Sequence, residues 1–391
     1  MILLLIQNQN KTYQSNPPQM EKFDWADSIE GKATFRVGNA FYRPATKPVR
    51  DLGILAAKTH QQQIGKLRVL DAMAGCGVRA LRYILEAEAT SAWVNEANPE
   101  IHPTLSHNLN RYLNSSQYKI THTNANRIFF DCYNRSDFYD LIDVDAFGAC
   151  TPYLSTVLWG AKIGGLVYLT STDGRSVTGN APENSLKYYG VYARSHPAAH
   201  EQGLRIIMGS LQQQAASQGR GVWPVFAYFT GETYRVMMRF GAKPQLTEDN
   251  YGWLGYCHHC GEYEHISWRK LGKALCPNDG ERLVMSGPMW LGVLHDRATL
   301  EKMIALAHAW HWTEAVSLLE VMKAEADLPP YFYLLQSIGK AGKLDLPKRN
   351  ELILALQKNG DRACATHLNS QAIKTDACFA TCVEIAKQLS H

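Results

Sequence analysis

Asp143 and Asp145 stand two residues apart at the end of an apolar run, and Ala146, Phe147 and Gly148 follow. If the run is a strand, both carboxylates share one face. Asp145 then lies at the end where parallel sheets hold their ligands. A carboxylate at that place can accept a hydrogen from a weakly nucleophilic amine and take its proton afterward. An aromatic ring beside it can stack on a planar base. The same residues also fit a cap or turn before Pro152, with Phe147 in the core. Earlier in the chain, Leu67 to Leu70 runs into Asp71-Ala72-Met73-Ala74-Gly75-Cys76-Gly77-Val78-Arg79, and a helical segment from Arg79 to Ala89 follows. An acid closing a strand, a glycine turn and a helix start form a cradle for an adenosine-bearing cofactor, because Gly75 and Gly77 let the backbone come close to it. Alone, a G-x-G turn is also a plain strand–helix corner.

Those residues need a sheet to position them. Candidate strands are Leu67–Asp71, Ala92–Glu96, Tyr118–His122, Phe138–Asp145, Leu166–Thr170, Val222–Phe229 and Thr233–Phe240, with helical stretches such as Ile101–Leu113 and Ala198–Gln218 between them. The alternation predicts a parallel sheet. Only Thr230-Gly231-Glu232 separates the last two strands, too short for a crossover helix, so they must form an antiparallel hairpin. The fold class read from this pattern is α/β: a Rossmann-like class I methyltransferase sheet, parallel with a terminal antiparallel hairpin, plus a smaller C-terminal α+β domain. The expected boundaries are an N-terminal extension or lid at 1–48, a methyltransferase domain at 49–245 and a C-terminal domain at 246–391. Residues 7–30 read as loosely ordered, and 31–48 as aromatics interleaved with bases. Downstream, helical segments with polar turns are expected over Ala298–Ala326 and Lys348–Lys358.

The order of polar strand ends favours S-adenosylmethionine. Asp71 closes the first strand and Asn95-Glu96 the second, where Glu96 can accept both hydroxyls of a ribose. Asn124-Ala125-Asn126 follows the third, where an amide and backbone groups can read an adenine edge. Taken singly, Glu96 also fits a surface carboxylate and Asn124 a turn former. A nicotinamide cofactor fits less well, since the third glycine of its fingerprint is missing and the hairpin is unexplained. The composition is that of a folded globular chain of 391 residues, 46% apolar, with net charge +4, which permits a nucleic-acid partner without demanding one. Nine cysteines without a disulfide-like spacing point to a reducing, cytoplasmic setting. Met1 to Ile6 is apolar but short, with no basic region and no small-residue cleavage site, and no run reaches the length of a membrane span. Cys257-x-x-Cys260, then Cys276-Pro277-Asn278-Asp279, looks like a zinc ribbon with one ligand changed; packed thiols fit the same spacing.

From about Ile29 to Ala377 the chain resembles the tRNA (guanine-N2)-dimethyltransferases. The resemblance rests on Glu30-Gly31, Phe41-Tyr42-Arg43-Pro44, Arg50-Asp51-Leu52, Asp71 to Arg79, Asn95-Glu96 and Asp145 to Gly148. It continues through His200-Glu201 with Leu204-Arg205, Tyr234-Arg235-Val236, Gly287 to Gly292, Pro329-Pro330-Tyr331, Thr366-His367 and Ile373 to Ala377. It implies transfer of one or two methyl groups to guanine N2 in tRNA, at position 26 between the D arm and the anticodon stem. It further implies that Arg50, Arg79, Glu96, Asn124 and Ala125 contact the cofactor, Arg50 through the cofactor's carboxylate, and that Asp145 is the catalytic carboxylate. Members often carry four cysteines at the ribbon, so Asp279 stands for the fourth. Three further departures stand out: Ala146 for proline, Arg43 for asparagine, and Asn124 for an acid. The Ala146 change and the incomplete cysteine set leave room for a tRNA-binding protein without catalysis, and the loop also suits methylation of another exocyclic amine, such as adenine N6. Expected phosphate contacts are the bases from Lys32 to Arg50, then Arg269, Lys270, Lys273, Lys340, Lys343 and Lys374. No membrane association and no obligate protein partner is expected.

Overall fold

The computed structural model describes residues 26–390. The apolar opening and the Pro17-Pro18 stretch lie outside the described residues. A hairpin of β1 (Asp27–Glu30) and β2 (Ala33–Arg36) comes first, so the expected loose order does not extend to residues 27–30. A long helix, Lys47–Ile64, follows.

The central sheet has seven strands: β3 (Arg68–Asp71), β4 (Ser91–Asn95), β5 (Tyr118–Thr121), β6 (Tyr139–Asp145), β7 (Ala161–Ser171), β8 (Gly221–Thr230) and β9 (Thr233–Gly241). Their spatial order is β5-β4-β3-β6-β7-β9-β8. The first five are mutually parallel, β9 runs antiparallel to β7, and β8 pairs back on β9 as the hairpin. Every strand expected from the sequence is present. The register aligns Asp71 with Asp143, and Asp145 with Thr170 and then Arg235. These are two cross-strand rows two residues apart on β6, so their side chains point to the same face at the carboxyl edge.

Beyond the sheet lie two three-stranded antiparallel sheets, β10 (Tyr251–Tyr256), β11 (Tyr263–Ile266) and β12 (Val284–Trp290), then β13 (Tyr333–Leu334), β14 (Ala363–Thr366) and β15 (Asn369–Thr375). They do not form a detached unit. Met289, Trp290, Tyr333 and Ile373 share one buried apolar cluster with Leu204 and Met208 of the helix Ala199–Ser217. The expected helical stretch over 298–326 is two helices, Arg297–Ala309 and Thr313–Glu325, reversed at His311 with φ +58°. Their Leu300, Met303 and Met322 pack in a second cluster with Leu52 and Leu55 of the long helix and Phe226 of β8.

Candidate active site

The glycine turn leaves β3 at Asp71 and enters the helix Val78–Leu85. Gly75 and Gly77 have φ of +52° and +82°, the left-handed region that glycine enters without strain. A Cβ on Gly77 would lie 2.9 Å from Leu105 of the helix His102–Asn110, and one on Gly75 would lie 3.4 Å from the Phe41 carbonyl oxygen. The segment preceding the long helix thus crosses directly over the turn. Glu96 accepts the Gly75 and Asn98 N–H groups at 3.0 Å each, one on each carboxylate oxygen. Asn124 is exposed, and its side chain caps the helix Ala125–Asn134 by accepting the Asn126 N–H at 2.9 Å. Ala125 is buried at the first position of that helix, where backbone N–H groups have no intrahelical acceptor.

Both oxygens of Asp71 are fully buried without a hydrogen-bond partner. Burial, and then the charge of Asp143, push its carboxyl well above the ordinary range. An orphaned carboxyl at the end of β3, a left-handed glycine turn that carries no Cβ at two positions and a partly buried Glu96 just past β4 fit the amino, backbone and ribose contacts of S-adenosylmethionine.

Asp145 ends β6 with its side chain one-third exposed, while Asp143 two residues back is fully buried. Arg79 Nη1 donates to Asp143 Oδ2 at 2.9 Å, and its Nη2 lies 3.1 Å from Asp145 Oδ2. The Tyr83 hydroxyl donates to Asp143 at 2.7 Å. On the other side, Arg235 Nη2 lies 3.1 Å from Asp145 Oδ1, and Arg235 Nη1 donates to Thr170 Oγ1 at 2.5 Å. The buried Tyr168 ring packs between the two guanidiniums, 5.8 and 5.9 Å from their centres. Burial raises the Asp145 pKa, but the charges of Arg235 and Arg79 outweigh it and hold the carboxyl far below its usual range. Phe147 next to it is 97% exposed, which removes the reading of this ring as core. The loop that carries them is tied down. Gly148 N–H donates to Thr172 Oγ1 at 2.8 Å, and its carbonyl accepts Thr172 N–H and Ser171 Oγ. These bonds supply part of the rigidity that Ala146 gives up relative to proline.

Two arginines sit in unexpected company. Arg50 is buried and bonded through Nε to Glu30 at 2.7 Å, through Nη2 to the same carboxylate, and through Nη1 to Thr46 at 2.6 Å. Its partner is therefore a carboxylate of the protein, carried by β1. Arg79 lies in the sheet's edge between two aspartates. A guanidinium taken out of water needs such partners. Arg235, Thr170 and Tyr168 were not singled out for this site from the sequence. A charged residue inside the apolar strand Thr233–Gly241 was the available signal.

The ribbon residues converge. Cys260 and Cys276 Sγ are 3.4 Å apart, Cys257 Sγ is 3.4 Å from Asp279 Oδ2, and all four ligand atoms lie within 4.8 Å of one another. His259 Nδ1 lies 2.9 Å from Asp279. That set and spacing fit a tetrahedral zinc ion. A second group, His295, Glu325 and His367, also comes together. Burial pushes His295 down to about 4, so it is neutral at pH 7. Its Nδ1 accepts the Ala227 N–H at 3.2 Å, which leaves the ring proton on Nε2, 3.8 Å from Glu325. A protonated Nε2 has no lone pair for a metal, so this group is a hydrogen-bond hub around Glu325. Lys374 joins it. The expectation that Lys374 meets phosphate is corrected: its side chain is fully buried, 2.6 Å from Glu201 and 3.9 Å from Glu325. Lys270, Lys273, Lys340 and Lys343 are exposed. Among the described residues no helix is long and apolar enough to cross a membrane.

The geometry agrees with comparisons to known proteins. A family model described as N2,N2-dimethylguanosine tRNA methyltransferase matches residues 25–387. A tRNA (guanine(26)-N(2))-dimethyltransferase of Aeropyrum pernix is 30% identical over 366 residues, 89% of each chain. One of Thermococcus kodakarensis is 27% identical over 367 residues, covering 89% of this chain and 93% of the relative. The solved complex of Trm1 from Pyrococcus horikoshii with S-adenosyl-L-methionine superposes with a TM-score of 0.81 at 26% identity, covering 92% of this chain and 99% of that one. A match over nearly the whole described length, on a sheet whose carboxyl edge carries the expected glycine turn and carboxylate, means that the chain belongs to the N2,N2-dimethylguanosine tRNA methyltransferase family.

Proposed function

We propose that this chain transfers methyl groups from S-adenosylmethionine to the exocyclic N2 of guanine 26 in tRNA, giving N2-methyl- and N2,N2-dimethylguanosine. The observation that carries the reading is Asp145: an ionised, partly exposed carboxylate at the sheet's rim, beside a fully presented aromatic ring and next to the empty-handed carboxyl of Asp71. In this reading Asp71, Gly75, Gly77, Glu96, Asn124 and Ala125 cradle the cofactor, and Arg50 and Arg79 border it. The cofactor supplies an electrophilic methyl carbon. Guanine N2 is a poor nucleophile because its lone pair is delocalised into the ring. In this reading Asp145 accepts one N2 hydrogen and so restores electron density at nitrogen, the Ala146 carbonyl accepts the other, and Phe147 stacks on the extruded base. Carbon–nitrogen bond formation makes N2 cationic and strongly acidic, so even a carboxylate of depressed pKa takes the proton and passes it to water.

Cys257, Cys260, Cys276 and Asp279 are proposed to hold a structural zinc that clips the β10–β11 module. The exposed bases beside it, Lys270 and Lys273 next to Trp268, would meet tRNA phosphates. None of the nine cysteines is in a disulfide, which suits a cytoplasmic setting in this reading, and the reading needs no second protein. The test is incubation of the purified protein with unmodified tRNA transcript and labelled methyl donor, followed by nucleoside analysis. N2-methylated guanosines are expected, and Asp145→Asn should abolish them. Methylated adenosine instead, or tRNA binding with no methylation, overturns the reading.

A further inference from the structure

Asp145 is held by more of the protein than a base needs. Each of its oxygens faces a different guanidinium at 3.1 Å, Arg235 from β9 and Arg79 from the helix after the glycine turn. Thr170 on β7 accepts a hydrogen bond from Arg235 Nη1 at 2.5 Å and stands opposite Asp145 in the strand register. Arg79 has its own partners, Asp143 and the sheet interior, and is 4% exposed. Arg235 is 3% exposed, has no carboxylate partner other than Asp145 among the described residues, and its Nε has no hydrogen-bond acceptor. A buried cation is costly unless paired. Arg235 is kept in the sheet by Asp145 and Thr170, and the row Asp145–Thr170–Arg235 is the cross-strand register itself.

We infer that Arg235 is a positioning residue for methyl transfer: its guanidinium, backed by Thr170, fixes the charge and direction of Asp145 so that the carboxylate acts as a hydrogen-bond acceptor while the carbon–nitrogen bond forms and as a proton acceptor only afterward. This inference rests on the proposed role of Asp145. In the step, the N2 lone pair forms the new bond to the methyl carbon. The carbon–sulfur electron pair returns to sulfur and cancels its positive charge. The cationic N2 then releases a proton to Asp145, which hands it to water. The charged and titratable groups around Asp145 are Arg235 on β9, Arg79 on the helix Val78–Leu85, and Asp143 on β6, with Tyr168 of β7 against both guanidiniums, Tyr83 on Asp143, and Asp71 of β3 near enough to feel the Asp145 charge. An opposite charge within about 4–6 Å of a carboxylate moves its pKa by about one to three units.

The experiment measures kcat and KM on tRNA transcript across pH 4–9 for the wild type, Arg235→Gln, Arg235→Lys and Thr170→Val. The wild type should show no acid limb from Asp145 in this range. In Arg235→Gln, kcat should fall about tenfold or more, an acid limb should enter the range, and KM for tRNA should stay within twofold. Arg235→Lys should recover part of kcat and push the limb back down. Thr170→Val, which leaves both guanidiniums in place, should shift the profile the same way by less. A loss of kcat with an unchanged pH profile and no recovery by lysine overturns the inference, as does full activity in Arg235→Gln. If Arg235→Gln does not fold, a wild-type profile in Thr170→Val overturns it. Asp145→Asn separates the two levels. Full activity there sinks the reading of Asp145 itself, whereas a dead Asp145→Asn beside an unchanged Arg235→Gln profile sinks the positioning role alone.

Discussion

Replacing Lys374 with methionine sets a buried ion pair against a surface phosphate contact. Methionine keeps the length of the stem and removes the charge. The ammonium lies 2.6 Å from Glu201 and 3.9 Å from Glu325, and all three side chains are fully buried. Breaking a buried pair by removing one partner costs about 3–5 kcal/mol, because the other charge stays out of water. Arg205 remains bonded to the same Glu201 oxygen at 2.8 and 3.0 Å, and Thr366 and the His367 N–H remain on Glu325 at 2.6 and 3.2 Å. The low end applies, about 3 kcal/mol. At the ~2–4 °C per kcal/mol of larger domains, the melting midpoint should fall by about 6–12 °C. Urea unfolding of wild type and variant measures the loss. The methylation rate as a function of KCl, taken below the variant's transition, measures the phosphate role. A protein deprived of one phosphate-neutralising cation shows a log–log salt slope shallower by about 0.7–0.9. The expected outcome is a large loss of stability with an unchanged slope. Wild-type stability with a slope shallower by nearly one unit would refute the reasoning. The double variant Lys374→Met, Glu201→Gln should recover about 1 kcal/mol relative to additivity, since neighbours in one network couple.

Three further outcomes follow from the geometry. Burial pushes Glu30 up, but the Arg50 bonds and the Arg82 charge hold it at about 2 against an ordinary 4.5. Its stabilisation is thus complete above the unfolded value, is lost as pH falls through 4.5 toward 2, and is of order 3 kcal/mol. Glu30→Gln should flatten that part of an acid-unfolding curve, and an unchanged curve would contradict the assignment. Phe147→Ala should leave the melting midpoint in place, because the ring is 97% exposed, yet lower kcat/KM by about 5–150-fold for a stacking loss of about 1–3 kcal/mol; equal kcat/KM would remove the ring from the site. Purified protein should carry one zinc by elemental analysis. Chelation should lower the melting midpoint, Asp279→Cys should slow metal release to a chromogenic chelator and Asp279→Ala should speed it; identical release rates would exclude Asp279 as a ligand.

The sheet was legible because its strands are apolar runs bounded by turns, and because a three-residue link between two of them admits only a hairpin. Asp145 and the glycine turn were legible because ligands sit at strand carboxyl ends. The long helix Lys47–Ile64 was not. It buries residues on most of its circumference, Arg50, Asp51, Lys58 and His60 included, so no one-sided apolar stripe marks it. The turn at His311 carries neither glycine nor proline, so nothing local announced the break between two helices. The partners of Arg50 and Asp145 come from β1 and β9, far away along the chain, and pairings of that kind are set by tertiary packing rather than by spacing. Lys374 misled for the same reason: a lysine in a polar stretch resembles a solvated one until the fold encloses it.

The apolar interior passes without a seam from the central sheet into the strands and helices that follow it. A fragment trimmed to the cofactor-binding half would turn a broad greasy wall toward water and clump rather than catalyse. For the same reason a tail borrowed from another protein would have to bring matching partners for Leu204 and Met208 in place of Met289, Trp290, Tyr333 and Ile373.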